Sequence, residues 1–193
     1  MSKVTNIVIG GVGGQGSLLA SRILCALYGA RGEMVKASEV HGMSQRGGSV
    51  ITNVRAGKVV YTPLITDGEG DILIAFEQIE AQRYLPQLKV GGTVIMSTQQ
   101  VPPITVLTGA AAYPENIVEN IRNTGRKVIA IDALALAEQA GSSKAANAVI
   151  LGAAANILGG TDEEWDVALT SAIKGEFLEL NRRAFALGRK AAV

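Results

Sequence analysis

The sequence is poor in several kinds of residue, and each shortage excludes a class of protein. Cys25 is the single cysteine in 193 residues, so the chain has no disulfide framework and too few thiolates to hold an iron–sulfur cluster alone. The longest apolar stretch, residues 145–158, is too short to span a bilayer and is interrupted by polar side chains. These shortages favour a protein without disulfides and without a membrane span.

Charge is also scarce and almost balanced. The chain contains 18 Lys and Arg against 17 Asp and Glu, which leaves a formal net charge of +1. Nucleic acid and anionic membrane surfaces attract proteins with a clear basic excess, so we expect neither as a partner. A chain that is 48% hydrophobic with so little charge is expected to cover part of its surface with a partner protein. No signal-peptide pattern opens the sequence, which predicts a cytoplasmic location.

Glycine, by contrast, is abundant, with 23 residues in the chain, and one glycine cluster lies between a predicted buried strand at residues 4–9 and a helical pattern from Leu18. Its spacing is that of a dinucleotide-binding turn, in which glycine lets the backbone approach a phosphate and the helix N-terminus offers free N–H groups. The same turn also occurs as a purely architectural link between strand and helix. The predicted anion site consists of Gly11, Val12, Gly13, Gly14, Gln15 and Gly16.

A second polar stretch, residues 38–50, follows the predicted second strand at residues 33–38. Ligands of open α/β sheets bind at the carboxyl ends of such strands. The stretch contains the single histidine, His41, and an arginine, Arg46, beside two glycines that let its guanidinium face a carboxylate or phosphate. We therefore predict His41 and Arg46 as candidate catalytic residues, although a backbone-bonded loop histidine and a structural ion pair are the alternatives. The candidate cofactor-binding residues here are Glu39, Gln45, Arg46, Gly47 and Gly48.

Other nucleotide and metal sites have weaker support. An acid about 20 residues after the glycines would bind a ribose diol, and Glu39 would suit that role, whereas Lys36 and Ser38 would suit a phosphate-bearing ribose. Ser17 follows Gly16 directly, so the lysine of a P-loop is missing. No group of residues has the spacing of zinc or iron ligands, so no metal is expected on this chain.

Alternating strand and helix patterns predict an α/β fold with a Rossmann-like, mostly parallel sheet flanked by helices and with a helical C-terminal third. We expect residues 49–55 to form a hairpin with residues 59–61, and residues 104–107 to form a short strand. Glu77 ends a predicted strand, where it either faces the site or begins a helix. No linker or repeat interrupts the chain, which predicts a single domain over residues 1–193. Further strands are predicted at residues 71–76, 93–97 and 127–131, and helices at residues 115–123, 133–140, 145–158 and 176–189. Residues 161–164 have the pattern of a capping box, which predicts another helix before the last one.

Residues 11–16 and 39–49 together resemble the gamma-type subunits of 2-oxoacid:ferredoxin oxidoreductases. The likeness extends over nearly the whole chain and is strongest to the small (beta) subunits of indolepyruvate:ferredoxin oxidoreductases. Pyruvate- and oxoglutarate-type members have a tyrosine and a glutamate before the Arg-Gly-Gly sequence. His41 and residues 44–45 replace them here, which favours the arylpyruvate branch.

The resemblance implies a reaction and a division of labour. The expected reaction is oxidative decarboxylation of a 2-oxoacid, indolepyruvate or another arylpyruvate, to an acyl-CoA and CO2 with reduction of ferredoxin. Thiamine diphosphate, Mg2+ and [4Fe-4S] clusters belong to a large partner subunit, so this chain is expected to be inactive alone. Coenzyme A is the expected ligand of the glycine turn, through a phosphate, and Arg46 is expected to reach the substrate or coenzyme A at the subunit interface.

Two alternatives stay open. The first is a free-standing Rossmann-type oxidoreductase that binds NAD(P) or FAD at the glycine turn. The second is a non-catalytic assembly subunit whose glycine turn is only architectural. The first predicts cofactor binding by the isolated chain, and the second predicts no ligand at all.

Overall fold

The computed structural model describes residues 4–42 and 47–192, and these residues form six strands and eight α-helices. The strands are β1 (Thr5–Val12), β2 (Met34–His41), β3 (Ser49–Gly57), β4 (Gly70–Ala75), β5 (Leu88–Ser97) and β6 (Lys127–Ile131). The helices are α1 (Ser17–Ala30), α2 (Gln78–Tyr84), α3 (Ile104–Leu107), α4 (Ile117–Arg122), α5 (Ala133–Ala140), α6 (Ala146–Leu158), α7 (Asp162–Ala172) and α8 (Gly175–Ala191).

The strands form one sheet in the order β2-β3-β1-β4-β5-β6. Strands β1, β4, β5 and β6 are parallel neighbours, and β3 runs antiparallel to both β1 and β2. The carboxyl ends of β1, β4, β5 and β6 therefore lie together, at what we call the carboxyl end of the sheet. The predicted α/β fold with a mostly parallel sheet and a helical C-terminal third is confirmed.

The predicted hairpin between residues 49–55 and 59–61 is wrong. Strand β3 pairs with β2 and β1, and residues 58–69 form a loop. The Arg55 guanidinium donates to the carbonyls of Thr62 and Leu64, at 3.3 and 3.0 Å, and so holds this loop off the sheet. Pro63 lacks the N–H that a ladder position needs. The antiparallel edge of the sheet is thus built by β2 and not by residues after β3.

The predicted short strand at residues 104–107 is also wrong, because these residues form helix α3. Pro103 precedes the helix in an extended conformation, and its carbonyl accepts from the N–H of Leu107 at 3.0 Å. Two consecutive prolines stop an incoming strand and preset the backbone at a helix start. The sequence of these residues fits a strand as well as a helix, because a short apolar run has no period that distinguishes the two.

Helices cover the two faces of the sheet unequally. The larger buried cluster lies under α1 and α5 to α8, and the smaller one lies on the other face with α2 and α4. Helix α6 is buried on nearly all sides, as its apolar sequence predicts, and nine consecutive residues from Asn147 to Ala155 are buried. Across the described part of the chain, no helix is both long and apolar enough to cross a membrane.

Helices α6 and α8 pack against each other at two glycines. A Cβ added to Gly188 would overlap the carbonyl oxygen of Val149, and one added to Gly152 would overlap the carbonyl oxygen of Phe185. The two backbones therefore approach more closely than any residue with a side chain allows. This contact attaches the C-terminal helix to the buried helix beneath it.

Helix α7 begins with the predicted capping box, in which Thr161 accepts from the N–H of Glu164 and Glu164 accepts from the N–H of Thr161. Glu164 also accepts two hydrogen bonds from Arg31, the residue that follows α1, at 3.2 and 3.1 Å. These donors, Arg31 first and then the Thr161 N–H, lower the pKa of Glu164 from its usual 4.5. The carboxylate thus links α1 to α7 through an ion pair and a helix cap.

We predict that Glu164→Gln removes a small, pH-dependent part of the stability. Because the folded-state pKa is lowered, the ion pair stabilises the fold above pH 4.5 and this contribution is lost as the pH falls through the folded-state value. The pair is partly buried and still reached by solvent, so the expected decrease in Tm at pH 7 is only about 1–2 °C. Thermal unfolding should show the difference at pH 7, and the difference should shrink as the pH falls below 4.5. Glu163→Gln on the same helical turn is the control, and an equal effect from it would contradict the prediction.

Candidate functional site

The two predicted motifs meet at the carboxyl end of the sheet. The N–H of Gly13 donates to the carbonyl of Gly48 at 2.8 Å, and the N–H of Gly47 donates to the carbonyl of Gly13 at 3.4 Å. The glycine turn and the Gly47–Gly48 pair are therefore joined to each other through their backbones. Gln45 and Arg46, the other candidates of the second motif, lie outside the described residues.

The glycines of the turn have three different tasks. Gly14 and Gly16 adopt φ values of 101° and 91°, which residues with a side chain rarely adopt. Gly11 lies inside β1 with a Phe76 ring carbon 3.1 Å from where its Cβ would be, so its small size serves packing. Gly13 makes the hydrogen bonds to the second motif. The turn conformation thus depends on Gly14 and Gly16 and not on the first two glycines of the spacing pattern.

Gln15 stabilises the turn from within. Its side-chain oxygen accepts from the N–H of Val12 at 2.8 Å, and its side-chain nitrogen donates to the Phe76 carbonyl at 3.2 Å and to Gln99 Oε1 at 3.3 Å. These contacts join β1 to the chain that leaves β4 and β5. The carboxamide therefore fixes the shape of the turn. The N–H groups of Val12, Gly13 and Gln15 already donate within the protein, so a ligand would have to use the other N–H groups of the turn.

A pocket of about 300 Å3 lies on the β2 side of the turn. Glu39 of β2 lines it and accepts hydrogen bonds from Ser17 at 3.1 Å and from Thr52 at 3.0 Å. A carboxylate therefore already occupies the surroundings of the α1 N-terminus on this side. It repels a phosphate and suits a ligand that donates hydroxyl groups. The other lining residues are Gly13, Gly14, Gly16, Ser17, Leu18, His41 and Val50.

His41 ends β2 and is exposed at the mouth of this pocket, opposite Val50 of β3. Its Nδ1 lies 3.0 Å from the carbonyl oxygen of Gly42. Within the described residues no carboxylate bonds to the ring, which is the contact that orients a histidine for general base catalysis. His41 stays a predicted candidate whose described partner is the backbone.

A second pocket, of about 250 Å3, lies on the opposite side of the turn. Here Lys144 lines the wall just before α6, and none of the ion pairs between described residues involves it. Asn147, in the first turn of α6, is only 7% exposed and also lines the pocket. Its Oδ1 accepts from the N–H of Ala148 at 2.8 Å, which leaves the Nδ2 group for a ligand. The remaining lining residues are Gly14, Gln15, Phe76, Ser97, Gln99, Ala133, Leu134, Ser143, Ala146 and Ile150.

The N-termini of α1 and α6 converge at this second pocket. A Cβ on Gly16, the residue that caps α1, would overlap the Asn147 side chain. Helix α1 has no side-chain cap and no acid in its first turn, so its N-terminal N–H groups keep their affinity for an anion. Two helix N-termini and Lys144, for which the described residues provide no ion-pair partner, make this side electropositive. Sequence reasoning missed Lys144 and Asn147, although a lysine just before a predicted helix that follows the last strand was a usable signal.

Glu77 is a structural residue in the described contacts. It is 1% exposed, caps α2 by accepting from the N–H of Glu80 at 3.0 Å, and also accepts from the N–H of Val101 at 3.1 Å and from the Tyr113 hydroxyl. Burial first, then the neighbouring Glu77 carboxylate, raise the pKa of Tyr113 well above its usual 10. Of the two roles expected for Glu77, the structure supports the one at the helix start.

The residues do not fit a metal or a cluster. Within residues 4–42 and 47–192, no three His, Cys, Asp or Glu side chains come together as metal ligands. Cys25 is partly buried in α1, and burial raises its thiol pKa, the opposite of what a thiolate ligand requires. Cys25 is thus the only thiol of the chain, and one thiol cannot by itself hold an iron–sulfur cluster.

Comparisons with known proteins identify the family of this chain. The sequence profile of the Pyruvate ferredoxin/flavodoxin oxidoreductase family matches residues 6–191. Indolepyruvate oxidoreductase subunit IorB of Thermococcus kodakarensis is 41% identical, over 98% of this chain and 96% of that protein. The gamma subunit of a keto/oxoacid ferredoxin oxidoreductase from Geobacter sulfurreducens superposes with a TM-score of 0.71 at 27% identity, over 97% of this chain and 98% of that one.

A longer chain contains the same fold. A 2-oxoglutarate:ferredoxin oxidoreductase from Magnetococcus marinus matches with a TM-score of 0.74 at 20% identity, over 100% of this chain but only 31% of that chain. In that protein the fold is one part of a larger polypeptide. This chain belongs to the pyruvate ferredoxin/flavodoxin oxidoreductase family, and its relatives of matching length are small subunits of such enzymes.

Proposed function

We propose that this chain is the small subunit of a thiamine-diphosphate-dependent 2-oxoacid:ferredoxin oxidoreductase that acts on indolepyruvate or another arylpyruvate. The observation that supports it most is the 41% identity to an indolepyruvate oxidoreductase subunit over nearly the full length of both chains. The reaction is oxidative decarboxylation of the 2-oxoacid to an acyl-CoA and CO2, with electrons passed to ferredoxin. We also propose that residues 1–193 act as one catalytic-type domain, since the family match spans residues 6–191.

The proposal assigns the bond-breaking chemistry to the partner. A single cysteine and the lack of a metal-ligand cluster among the described residues leave thiamine diphosphate, Mg2+ and the [4Fe-4S] clusters to a large subunit. Ferredoxin, which must approach those clusters, is then expected to dock on that subunit. This chain contributes a shaped carboxyl end of the sheet that binds and orients a substrate and excludes water.

Coenzyme A is the substrate that we propose for this end of the sheet. Its phosphates require N–H donors and positive charge, which the turn at Gly14 and Gly16 and the neighbouring Lys144 supply. The Glu39 side of the turn carries a carboxylate that already accepts from Ser17 and Thr52. The proposed site therefore places a coenzyme A phosphate against Lys144 and leaves hydroxyl groups of the ligand for the Glu39 side.

The test is an activity assay of this chain with and without a co-expressed thiamine-dependent large subunit. Indolepyruvate and coenzyme A are supplied, and reduction of ferredoxin or a viologen dye is followed. We expect activity from the pair and none from either chain alone. Phenylpyruvate and pyruvate in the same assay rank the substrates.

Two results would contradict the proposal. A complex that forms but reduces no acceptor with any 2-oxoacid would leave an assembly role. Binding of NAD(P) or FAD by the isolated chain, without a complex, would favour a free-standing Rossmann-type oxidoreductase, for which Glu39 is the expected ribose-binding acid.

A further inference from the structure

The segment that joins β5 to β6 has the composition of a buried segment but lies on the surface. Residues 98–114, which we call the 98–114 loop, contain no charged side chain. Two other uncharged stretches are at least as long. Residues 4–21 form β1 and the start of α1, and residues 145–161 include the buried helix α6. In the 98–114 loop, by contrast, Ile104 and Leu107 are 71% and 69% exposed. An exposed apolar patch of this kind marks a site of interaction with another protein.

The loop is held in a defined shape at both ends. Near its start, Val101 donates its N–H to Glu77, and the Gln78 side chain donates to the Thr98 carbonyl at 2.6 Å. Near its end, the Tyr113 hydroxyl donates to the same Glu77 carboxylate. One buried side chain at the start of α2 thus ties the two ends together.

The interior of the loop is ordered by its own hydrogen bonds. The N–H of Thr108 donates to the Ile104 carbonyl at 2.9 Å, and the N–H of Ala111 donates to the Thr105 carbonyl at 3.0 Å. Ile104 and Leu107 are three positions apart on α3 and so lie on the same side of the helix. The loop therefore presents two large apolar side chains on a preorganised support, which lowers the entropy lost on binding.

The position of the loop indicates its partner. It leaves β5 at the carboxyl end of the sheet, and Gln99 at its start lines the pocket that contains Lys144. A protein that covers the loop would thus lie beside the proposed coenzyme A site. In the Magnetococcus marinus enzyme the same fold is part of a chain about three times longer, of which it makes up 31%, so this fold is joined there to the rest of an oxidoreductase.

We propose that the 98–114 loop is a docking surface for the large subunit of the enzyme, with Ile104 and Leu107 inserted into an uncharged, apolar recess of that subunit. The inference rests on the proposed function. Docking at this place would bring the partner against the open side of the Lys144 pocket and exclude water from it. The loop is then a contact for assembly and not for chemistry.

The experiment titrates the large subunit into this chain and measures complex formation and restored activity. Ile104→Glu with Leu107→Glu places two charges in the proposed apolar contact, and we expect the dissociation constant to rise about tenfold or more. Activity at saturating large subunit should stay near the wild-type value, because the loop residues do not contact the reacting atoms. Circular dichroism and thermal unfolding should match the wild type, since both side chains are exposed.

Val90→Glu is the matched control. Val90 is an apolar side chain that is 88% exposed near the start of β5, at the opposite end of that strand, and its substitution should leave the titration unchanged. Equal titration by the loop variant and the wild type would overturn the inference while leaving the proposed function intact. A wild-type chain that binds no large subunit would overturn both. Self-association that the loop variant abolishes, with unchanged binding of the large subunit, would assign the surface to a second copy of this chain and overturn the proposal.

Discussion

Replacing Gly188 with alanine is expected to lower the free energy of unfolding by about 3 kcal/mol. A Cβ at this position would overlap the carbonyl oxygen of Val149, and neither atom belongs to a flexible side chain. Helices α6 and α8 must therefore move apart, which loosens the buried packing around Trp165 and Phe185. Chemical denaturation with circular dichroism measures the change, and Gly152→Ala, which meets the Phe185 carbonyl, should cause a loss of the same order.

Gly29→Ala is the control for that experiment. Gly29 lies in the last turn of α1 with no heavy atom within 4 Å of the position of an added Cβ and with an ordinary helical backbone. Alanine there should raise the free energy of unfolding by about 0.5–1 kcal/mol, because it restricts the unfolded chain and favours the helix. Equal effects of the two substitutions would mean that the α6–α8 contact is looser than the structure shows.

The parts of the fold that were predictable are those in which local sequence and tertiary contacts agree. The β1–turn–α1 unit was predicted because an apolar strand, a glycine turn and a helical period follow in order. Thr161 and Glu164 likewise signalled the start of α7 from adjacent residues alone. The strand predicted at residues 104–107 is wrong because a four-residue run with three apolar side chains fits either structure, and the deciding contact is the carbonyl of Pro103.

The candidate site was predictable on one side only. Glu39 and the glycines are near each other in sequence, so their pattern was visible before the structure was known. Lys144 lies about 130 residues from Gly14, and only the parallel sheet brings α6 to the glycine turn. The hydrogen bonds that Glu39 accepts from Ser17 and Thr52 could not be predicted either, because they depend on tertiary structure. The bond from Thr52, for example, depends on the β2–β3 register that places it opposite Glu39. Sequence therefore predicts one side of the candidate site but not the distribution of charge across it.

That distribution leads to the second large prediction, made for the assembled enzyme. Lys144→Gln should raise the KM for coenzyme A about tenfold to hundredfold, because a charge-assisted contact to a phosphate is lost. The effect should shrink at high ionic strength, where the wild-type contact is itself screened. The KM for the 2-oxoacid should change little, which separates the proposed role from a general loss of structure.

Two further variants decide between the sides of the turn. Lys174→Gln removes the same charge from the start of α8, where Lys174 lines neither pocket, and it should leave the KM for coenzyme A unchanged. Glu39→Gln keeps an acceptor for Ser17 and Thr52 but removes the negative charge. If the phosphate lies against Lys144, this variant alters the KM for coenzyme A only slightly. The opposite pattern is a marked fall in that KM for Glu39→Gln and no change for Lys144→Gln. It would mean that removing the repulsion between the Glu39 carboxylate and the phosphate is the dominant effect. That result would place the phosphate on the β2 side and contradict the assignment.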